Sequence, residues 1–327
     1  MCMKILKYVH ARTAFKIGLQ LLECHSGQII LLPDFLCNVI WHPLELLGIK
    51  VITHSLNDNL EPIWDEIEEI GSRENISALL MVHYFGQPQN IDKYKKFCKD
   101  NHIFLIEDNA HGHGGKFNGK PLGSYGDAGF SSPRKFINIS FGGCLYLRNI
   151  ELENLPLVEQ ANNCSYKVII HKLKSILSHY PFVYSFLKSL QLRNVDWSDP
   201  RHFQEKVTSD RLLSDVDKAK IDNVDWNQVA SQRRKLWQDW QMFSDNHGLK
   251  SVFPELHPES SPWAFPVYAK DIKHRNHWLK WGTKHGIPIF SWPALPDIVI
   301  EKNDSALNRW KRILCFPLYG VSPKRFI

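Results

Sequence analysis

The first two thirds of this 327-residue chain alternate short β-rich runs with stretches that suit helices. Between the β-rich runs, EPIWDEIEEI and NIDKYKKFCKDN are typical of helices, and their length suits crossover connections. Strands separated by helices predict a mainly parallel sheet covered on both faces, so the chain falls in the α/β class. The predicted strands are QIILLP (28–33), KVITHSL (50–56), ISALLMVHYFG (76–86), IFLIED (103–108), DAGFSS (127–132) and GCLYLRN (143–149).

From about residue 151 the pattern changes to helical segments. They include VIIHKLKSILSHY (168–180) and a Trp-rich stretch, 222–243, whose length suits a connecting helix. The last part predicts strand, helix and strand over 261–271, 274–286 and 287–296. We therefore expect a large domain over residues 1–210 and a smaller α+β domain over residues 211–327, with no low-complexity linker between them.

Composition excludes several classes of protein. No run of about 18 apolar residues occurs, and the N-terminus lacks the pattern of a secretory signal, so we expect no membrane partner and a cytoplasmic location. Seven scattered cysteines without a C-x-x-C pair argue against a disulfide framework or a metal site. Lys and Arg are spread along the chain, so the charge of +6 favours a phosphorylated small substrate over nucleic acid.

The stretch FLIEDNAHGHGGKFNGK (104–120) has the glycine spacing of a nucleotide-binding P-loop at Gly114 and Gly119-Lys120. A P-loop needs Ser or Thr after the lysine and a helix starting there, whereas Pro121 follows here. The dinucleotide fingerprint also fails, because no third glycine follows Gly112 and Gly114 at the required place. These glycines are therefore predicted to shape a loop.

Three side chains near this stretch are candidates for a site. Asp108 ends a predicted buried strand, at the sheet edge where ligands of α/β folds usually bind, although a turn cap would use the same residue. His111 follows three residues later and would alone be read as a loop histidine. Lys135 follows a strand and two serines, and Gly142-Gly143 then leads into the next strand.

Ordered blocks along most of the chain resemble the DegT/DnrJ/EryC1/StrS family of sugar aminotransferases. The most specific block runs from Glu107 to Asp127, where the family's pattern of acid pair, Ala, Gln or His, Gly, Lys-x-Gly-Lys, Gly-Ser and Gly-Asp is followed almost continuously. The other blocks are RTAF, ILLPDFLC, VHYFGQP, SSPRKF with the later GG, SPWAFPV and GIPIFSWPALP. The resemblance implies the type I fold of pyridoxal 5'-phosphate (PLP) transferases, with a seven-stranded sheet and a smaller α+β domain.

The resemblance also implies roles for the candidate side chains. Lys135 matches the Schiff-base lysine, whose free amine would then act as general base and acid. Asp108 matches the acid that pairs with the pyridinium nitrogen, and His111 the Gln or His beside the cofactor ring. Thr13 matches the residue that opens a helix under the cofactor phosphate, and Arg12 replaces the usual small residue before it.

Three further features of the predicted site have open alternatives. Ser131 and Ser132 both fit the phosphate-binding serine of the family, since the loop before Lys135 is short. Cys37 stands where many members place an aromatic that stacks on the cofactor, and Phe35 would replace it only with a shift of register. The family's Gly-x-Asn-x-Arg block, which reaches the neighbouring subunit's site in a homodimer, is not recognisable, although Arg211 lies near its place.

The resemblance predicts transfer of an amino group from an amino acid, with glutamate as the donor expected from the family, to a nucleotide-linked keto-sugar for lipopolysaccharide or O-antigen assembly. Lys135 argues against the dehydrating branch, which has histidine at that position. Aminocyclitol transamination and a non-catalytic binding or regulatory protein stay as alternatives. Four tryptophans of the C-terminal part are predicted to serve the core, with Trp292 the candidate for a substrate contact: Trp263, Trp278, Trp281 and Trp292.

Overall fold

A seven-stranded sheet is the centre of the structure, a computed structural model that describes residues 3–148, 158–160, 180–201, 210–302 and 304–326. Its strand order is β1-β9-β8-β5-β4-β2-β3. The strands are β1 (Met3–Tyr8), β2 (Ile29–Pro33), β3 (Lys50–His54), β4 (Ile76–Val82), β5 (Phe104–Asn109), β8 (Ala128–Ser131) and β9 (Gly143–Arg148).

Six of these strands run in one direction, and β9 is antiparallel to both of its neighbours, β8 and β1. The mainly parallel sheet and all six strands predicted from the sequence are confirmed. Strand β1 was not predicted. It lies at the edge of the sheet, where Lys4 and Lys7 interrupt its apolar pattern, as charged residues commonly do on edge strands.

Helices cover both faces of the sheet. Alternate residues of a strand point to opposite faces, so Ala78 and Leu80 join one core while Leu79 and Met81 join another. The first core includes α1 and α2, and the second includes α3 and α4. These helices are α1 (Ala11–Leu21), α2 (Trp41–Leu46), α3 (Trp64–Arg73) and α4 (Ile91–Asp100).

The C-terminal part packs helices around a small antiparallel sheet of β10 (Lys250–Ser251), β11 (Ala264–Tyr268) and β12 (Ile313–Pro317). A two-residue hairpin, β6 and β7, pairs Lys116–Phe117 with Lys120–Pro121. The helices are α5 (Pro181–Arg193), α6 (Asp215–Asp222), α7 (Trp226–Asn246), α8 (Ile272–His285), α9 (Asp297–Lys302) and α10 (Asp304–Arg312). The type I transferase architecture predicted from the sequence is confirmed.

Two sequence-based predictions for this part are corrected. Residues 287–296 form no strand, since only Phe290 bridges to Cys315 and three prolines at 288, 293 and 296 remove backbone donors. The helix predicted over 222–243 begins at Trp226, because Asp225 caps it by accepting from the amides of Asn227 and Gln228. Residues 168–179 lie outside the described residues, and the domain boundary at residue 210 stays a prediction.

Candidate active site

A pocket lies at the carboxyl edge of the sheet, where β4, β5 and β8 end and α1 begins. Its walls come from both parts of the chain, because Trp292 closes it from the C-terminal side. It therefore gathers residues that are far apart in the sequence. Of the candidates named above, the pocket is lined by Arg12, Cys37, Asp108, His111, Ser132 and Lys135; Thr13 and Ser131 are buried but do not line it.

Asp108 is the one carboxylate among the residues that line this pocket. Its side chain is buried, and Oδ1 accepts a hydrogen bond of 2.8 Å from the amide of Ala110. Burial raises the pKa of Asp108 to about 6, against the opposing effects of that hydrogen bond and of electrostatic interactions, chiefly with Lys135. A cationic ring nitrogen placed beside Asp108 would therefore be strongly stabilised.

Glu107, the preceding acid, serves the opposite face of the sheet. Both of its oxygens are buried: Oε1 accepts from Nε2 of His83 at 2.7 Å, and Oε2 accepts from the amide of Tyr125 at 2.6 Å. The amides of Gly123 and Gly126 donate to the same carboxylate. Neighbouring residues of a strand point in opposite directions. Asp108 therefore lines the pocket, while Glu107 holds the loop 123–126 on the other face of the sheet.

Lys135 ends a short 3-10 turn, Pro133–Lys135, directly after β8. Its amide donates to the carbonyl of Ser132 at 3.1 Å. Its Nζ lies 4.7 Å from the centroid of the Trp263 ring, a cation–π distance, and its charge acts on both Asp108 and His111. The lysine therefore stands between an acid and aromatic rings in the same pocket.

Arg233, on α7, holds the backbone around Lys135. The side chain is buried, and its two terminal nitrogens donate to the carbonyls of Pro262, Trp263, Lys135 and Phe136 at 3.0 to 3.4 Å. The guanidinium carbon also lies 4.6 Å from the Phe136 ring centroid. Burial lowers the pKa of Arg233 to about 10. Arg233 was not among the residues predicted from the sequence, because its acceptors are backbone carbonyls, which no sequence pattern marks.

His111 is packed among aromatic rings at the pocket wall. Its ring centroid lies 4.3 Å from that of Trp263 and 5.5 Å from that of Trp292. Nδ1 accepts a hydrogen bond of 3.4 Å from the amide of Phe85. Burial, and secondly the charge of Lys135, lower the pKa of His111 well below its usual range. The imidazole is therefore neutral, and it forms part of the pocket lining.

The first turn of α1 reaches the pocket through His10, Ala11 and Arg12. The start of α1 lies close to Gly143 at the beginning of β9. A side chain at Gly143 would prevent this, since a Cβ there would lie 2.2 Å from the carbonyl carbon of His10. The first amides of a helix have no acceptor within the helix and attract anions. Thr13 is buried in the same turn and does not line the pocket.

The two serines before Lys135 point to different surroundings. Ser132 lines the pocket. Oγ of Ser131 hydrogen-bonds Nδ1 of His113 at 2.7 Å and the hydroxyl of Tyr146 at 3.1 Å. Between the two candidates for phosphate binding, the geometry favours Ser132.

The side of the pocket formed after β2 is not aromatic. Cys37 lines it, whereas Phe35 is fully buried and packs 4.5 Å from the Trp292 ring centroid, so no shift of register brings Phe35 into the pocket. Trp292 is itself buried, and its Nε1 has no hydrogen-bond partner among the described residues. Trp292 therefore lines the pocket with a buried indole N–H that has no hydrogen-bond partner among the described residues.

Arg211 lies beside the start of α1 in its own subunit. Its carbonyl accepts a hydrogen bond of 3.0 Å from the amide of Val9, and the next residue, Leu212, bridges to Tyr8. Arg211 does not line the pocket. A contact with a neighbouring subunit's site stays a prediction.

The glycine-rich stretch does not form a P-loop. Gly119 and Lys120 lie in the β6–β7 hairpin, where Lys120 is exposed and no helix follows. Gly112 instead permits close packing after β5, since a Cβ there would lie 2.3 Å from Oδ1 of Asn109 and 2.9 Å from Cα of Gly86. The prediction that these glycines shape a loop is confirmed.

The described residues contain no cluster of His, Cys, Asp or Glu able to hold a metal ion, and none of their helices is long and apolar enough to cross a membrane. The cysteines among them form no disulfide, and Cys24, Cys98, Cys144 and Cys315 are buried. Cys2 and Cys164 lie outside the described residues.

The pocket suits PLP by the chemistry of its donors. The buried carboxylate of Asp108 matches the nitrogen of the pyridine ring, and the amine of Lys135 matches the aldehyde. The neutral imidazole of His111 matches the face of the ring. The N-terminus of α1 matches the phosphate.

Comparison with known proteins agrees with this fit. The chain is 32% identical over 147 residues to dTDP-3-amino-3,6-dideoxy-alpha-D-galactopyranose transaminase of Aneurinibacillus thermoaerophilus, covering 44% of this chain and 39% of that one. The chain matches this transaminase and four other curated relatives over only 18% to 39% of the relatives' own length.

Two solved structures share the fold over nearly the whole chain. The aminotransferase TlmJ of Streptoalloteichus hindustanus gives a TM-score of 0.67 at 18% identity, covering 98% of this chain and 82% of that one. The E. coli GDP-4-keto-6-deoxy-D-mannose-3-dehydratase with bound hydrated PLP gives 0.65 at 18% identity, covering 98% and 85%. Residues 9–167 match the sequence pattern of one family. That pattern is the model of the DegT/DnrJ/EryC1/StrS aminotransferase family, and the chain as a whole shares the fold of these two solved structures.

Proposed function

We propose that this protein is a PLP-dependent aminotransferase that moves an amino group from an amino acid, glutamate by family analogy, to a nucleotide-linked keto-sugar. The observation that carries the proposal is the meeting of Asp108, His111 and Lys135 in one pocket at the start of α1. The match of residues 9–167 to the model of an aminotransferase family supports the same reaction.

Each of these residues would have a distinct task. When bound, PLP supplies an electron sink for negative charge that develops at the substrate carbon. The Asp108 carboxylate would hold a proton on the ring nitrogen, and its raised pKa would fall again beside that cation. The amides of the first turn of α1 and the hydroxyl of Ser132 would bind the phosphate. The Lys135 amine would remove the proton from the α-carbon of the donor.

Two features support a nucleotide-linked substrate. Arg12 and Arg134 line the pocket beside Lys135. The pocket therefore has three cationic side chains and one carboxylate, and this excess of positive charge suits an anionic diphosphate. The similar transaminase is named for a dTDP-linked sugar. A role in lipopolysaccharide or O-antigen assembly, a cytoplasmic location and a homodimer with active sites at the subunit interface belong to the same proposal.

A second candidate is a non-catalytic or differently reacting protein with this fold, favoured by Cys37 where the family has a stacking aromatic. Aminocyclitol transamination would use the same residues with a different acceptor. The 3-dehydratase with the similar fold gives no preference for dehydration here, because Lys135 is present where the dehydrating branch has histidine.

The deciding experiment is an absorbance spectrum of the purified protein with PLP, before and after glutamate. We expect a visible band that Lys135→Ala abolishes and glutamate bleaches in the wild type. Lys120→Ala, which removes an exposed lysine of the β6–β7 hairpin, is the matched control and should behave as wild type. A band that is absent, or that persists without Lys135, would favour the non-catalytic alternative.

A further inference from the structure

Helix α5 exposes its large apolar side chains and buries its serines. Ser185 and Ser189 are almost completely buried. The apolar residues of the opposite face recur at helical spacing and are 37% to 54% exposed; they form what we call the apolar stripe, Phe182, Val183, Phe186, Leu187 and Leu190. The hydrophobic effect favours burial of apolar side chains and exposure of serines, which is the reverse of this arrangement. An exposed apolar stripe of this kind marks an interaction surface.

The neighbouring helix α8 is basic along its exposed side. The exposed residues that define this basic stripe also recur at helical spacing: Lys273, His277, Lys280 and Lys284. The helix contains no Asp or Glu between its first and last residues, and Asp271 precedes it as the N-cap. The exposed face of α8 therefore carries positive charge with no acid in the helix to balance it.

The two stripes lie side by side, because α5 packs against α8. Phe186 lies against Gly286, where a Cβ would come within 3.0 Å of Cδ2 of that phenylalanine. Further along α5, Leu192 and Arg193 line a cleft of about 610 Å³ together with Lys280 and Lys284. The apolar stripe thus ends beside three cationic side chains.

Acidic side chains near this surface do not cancel its charge. Asp196 lines the same cleft and accepts a 2.9 Å hydrogen bond from the amide of Ser198. Asp297 pairs with Arg201 at 2.9 Å. The three cations of the cleft therefore outnumber its single carboxylate.

We propose that the face formed by α5 and α8 docks on an anionic lipid bilayer, with the apolar stripe in the boundary between headgroups and acyl chains and the basic stripe on the phosphates. An apolar helix face flanked by lysines is the arrangement of helices that lie in a membrane interface. The negative surface of a cytoplasmic leaflet complements the basic stripe. A protein partner fits less well, because lysine is depleted from the cores of protein interfaces.

This proposal revises the sequence-based expectation of no membrane partner. That expectation depended on the lack of a spanning segment, and docking at one leaflet needs none. It is independent of the proposed reaction, because neither stripe contains a residue of the pocket.

The test is flotation of the full chain with vesicles of neutral phosphatidylcholine, and with vesicles that also contain phosphatidylglycerol. We expect flotation only with the anionic vesicles, weakened by high salt. Val183→Gln/Leu187→Gln and Lys280→Gln/Lys284→Gln should each lower the bound fraction by roughly tenfold. All four side chains are at least partly exposed, so both variants should fold, as checked by circular dichroism.

Matched controls place the same changes elsewhere. Lys95→Gln/Lys99→Gln removes an exposed i, i+4 lysine pair from α4, and Leu46→Gln/Met242→Gln removes two exposed apolar side chains. Both should float as wild type. Failure of the wild type to float with anionic vesicles, or equal losses in the controls, would overturn the proposal. It would also be overturned if Val183→Gln/Leu187→Gln dissociated an oligomer in sedimentation while flotation was unchanged, since the stripe would then join two copies.

Discussion

The guanidinium of Arg233 donates a hydrogen bond to the carbonyl of Lys135, which lies 98 residues earlier in the chain. The same side chain donates to the carbonyl of Trp263, whose ring lies under the Lys135 ammonium. One buried cation therefore fixes both the lysine and the ring beside it. Arg233 is a positioning residue in this arrangement.

Replacement of Arg233 by Lys should lower the stability of the fold and also change the position of Lys135. A lysine cannot reach four carbonyls, so the free energy of unfolding should fall by about 2–4 kcal/mol as buried acceptors lose their donors. The pH midpoint of the visible PLP band should also shift, because Lys135 moves relative to Asp108. The two quantities are measured by urea unfolding and by spectrophotometric titration. Arg234→Lys, which alters the hydrogen bond to Ser260, should leave that midpoint unchanged.

Asp108→Asn should stabilise the cofactor-free protein and inactivate it. The pKa of Asp108 is raised to about 6 from 3.8, so the folded state binds more protons between those values and loses stability as the pH rises through them. That loss amounts to about 3 kcal/mol at neutral pH and is absent in the asparagine variant. Urea unfolding at pH 4 and pH 7 should show a steeper decline for wild type.

The same variant should slow the glutamate half-reaction at least about a hundredfold, because the amide cannot hold the charge of the ring nitrogen. Equal pH dependence of stability in the two proteins would contradict the assigned cause of the pKa shift.

Glu107→Gln should have the opposite effect on stability, although the two acids are neighbours. The Glu107 carboxylate accepts from His83 and from the amides of three loop residues, and an amide group cannot accept all of these bonds. We expect a loss of about 2–4 kcal/mol in the free energy of unfolding. Thermal and urea unfolding of Glu107→Gln and Asp108→Asn, each compared with wild type, would test this. If both variants changed the free energy of unfolding in the same direction, the separate roles assigned to Glu107 and Asp108 would be contradicted.

The sequence predicted the parts of the site that are carried by local patterns. Asp108, His111 and Lys135 follow buried strands within recognisable blocks, so their meeting at one sheet edge follows from the strand order. Arg233 could not be predicted, because its acceptors are backbone carbonyls far away in sequence. Strand β12 was missed for a related reason, since its pairing with β11 joins segments separated by three helices and an extended, proline-rich stretch.

Trp292→Phe should separate stability from ligand binding. The buried Nε1 of Trp292 has no hydrogen-bond partner among the described residues, so its removal should leave the cofactor-free protein as stable or slightly more stable. With PLP bound, the glutamate concentration at half-maximal rate should rise about tenfold, because the smaller ring leaves a gap in the pocket wall that Trp292 forms. Trp240→Phe is the matched control: its Nε1 donates to the carbonyl of Pro317 at 2.9 Å, so it should lose about 1–3 kcal/mol of stability and keep the wild-type half-saturation. A destabilised Trp292→Phe with unchanged half-saturation would assign Trp292 to the core alone.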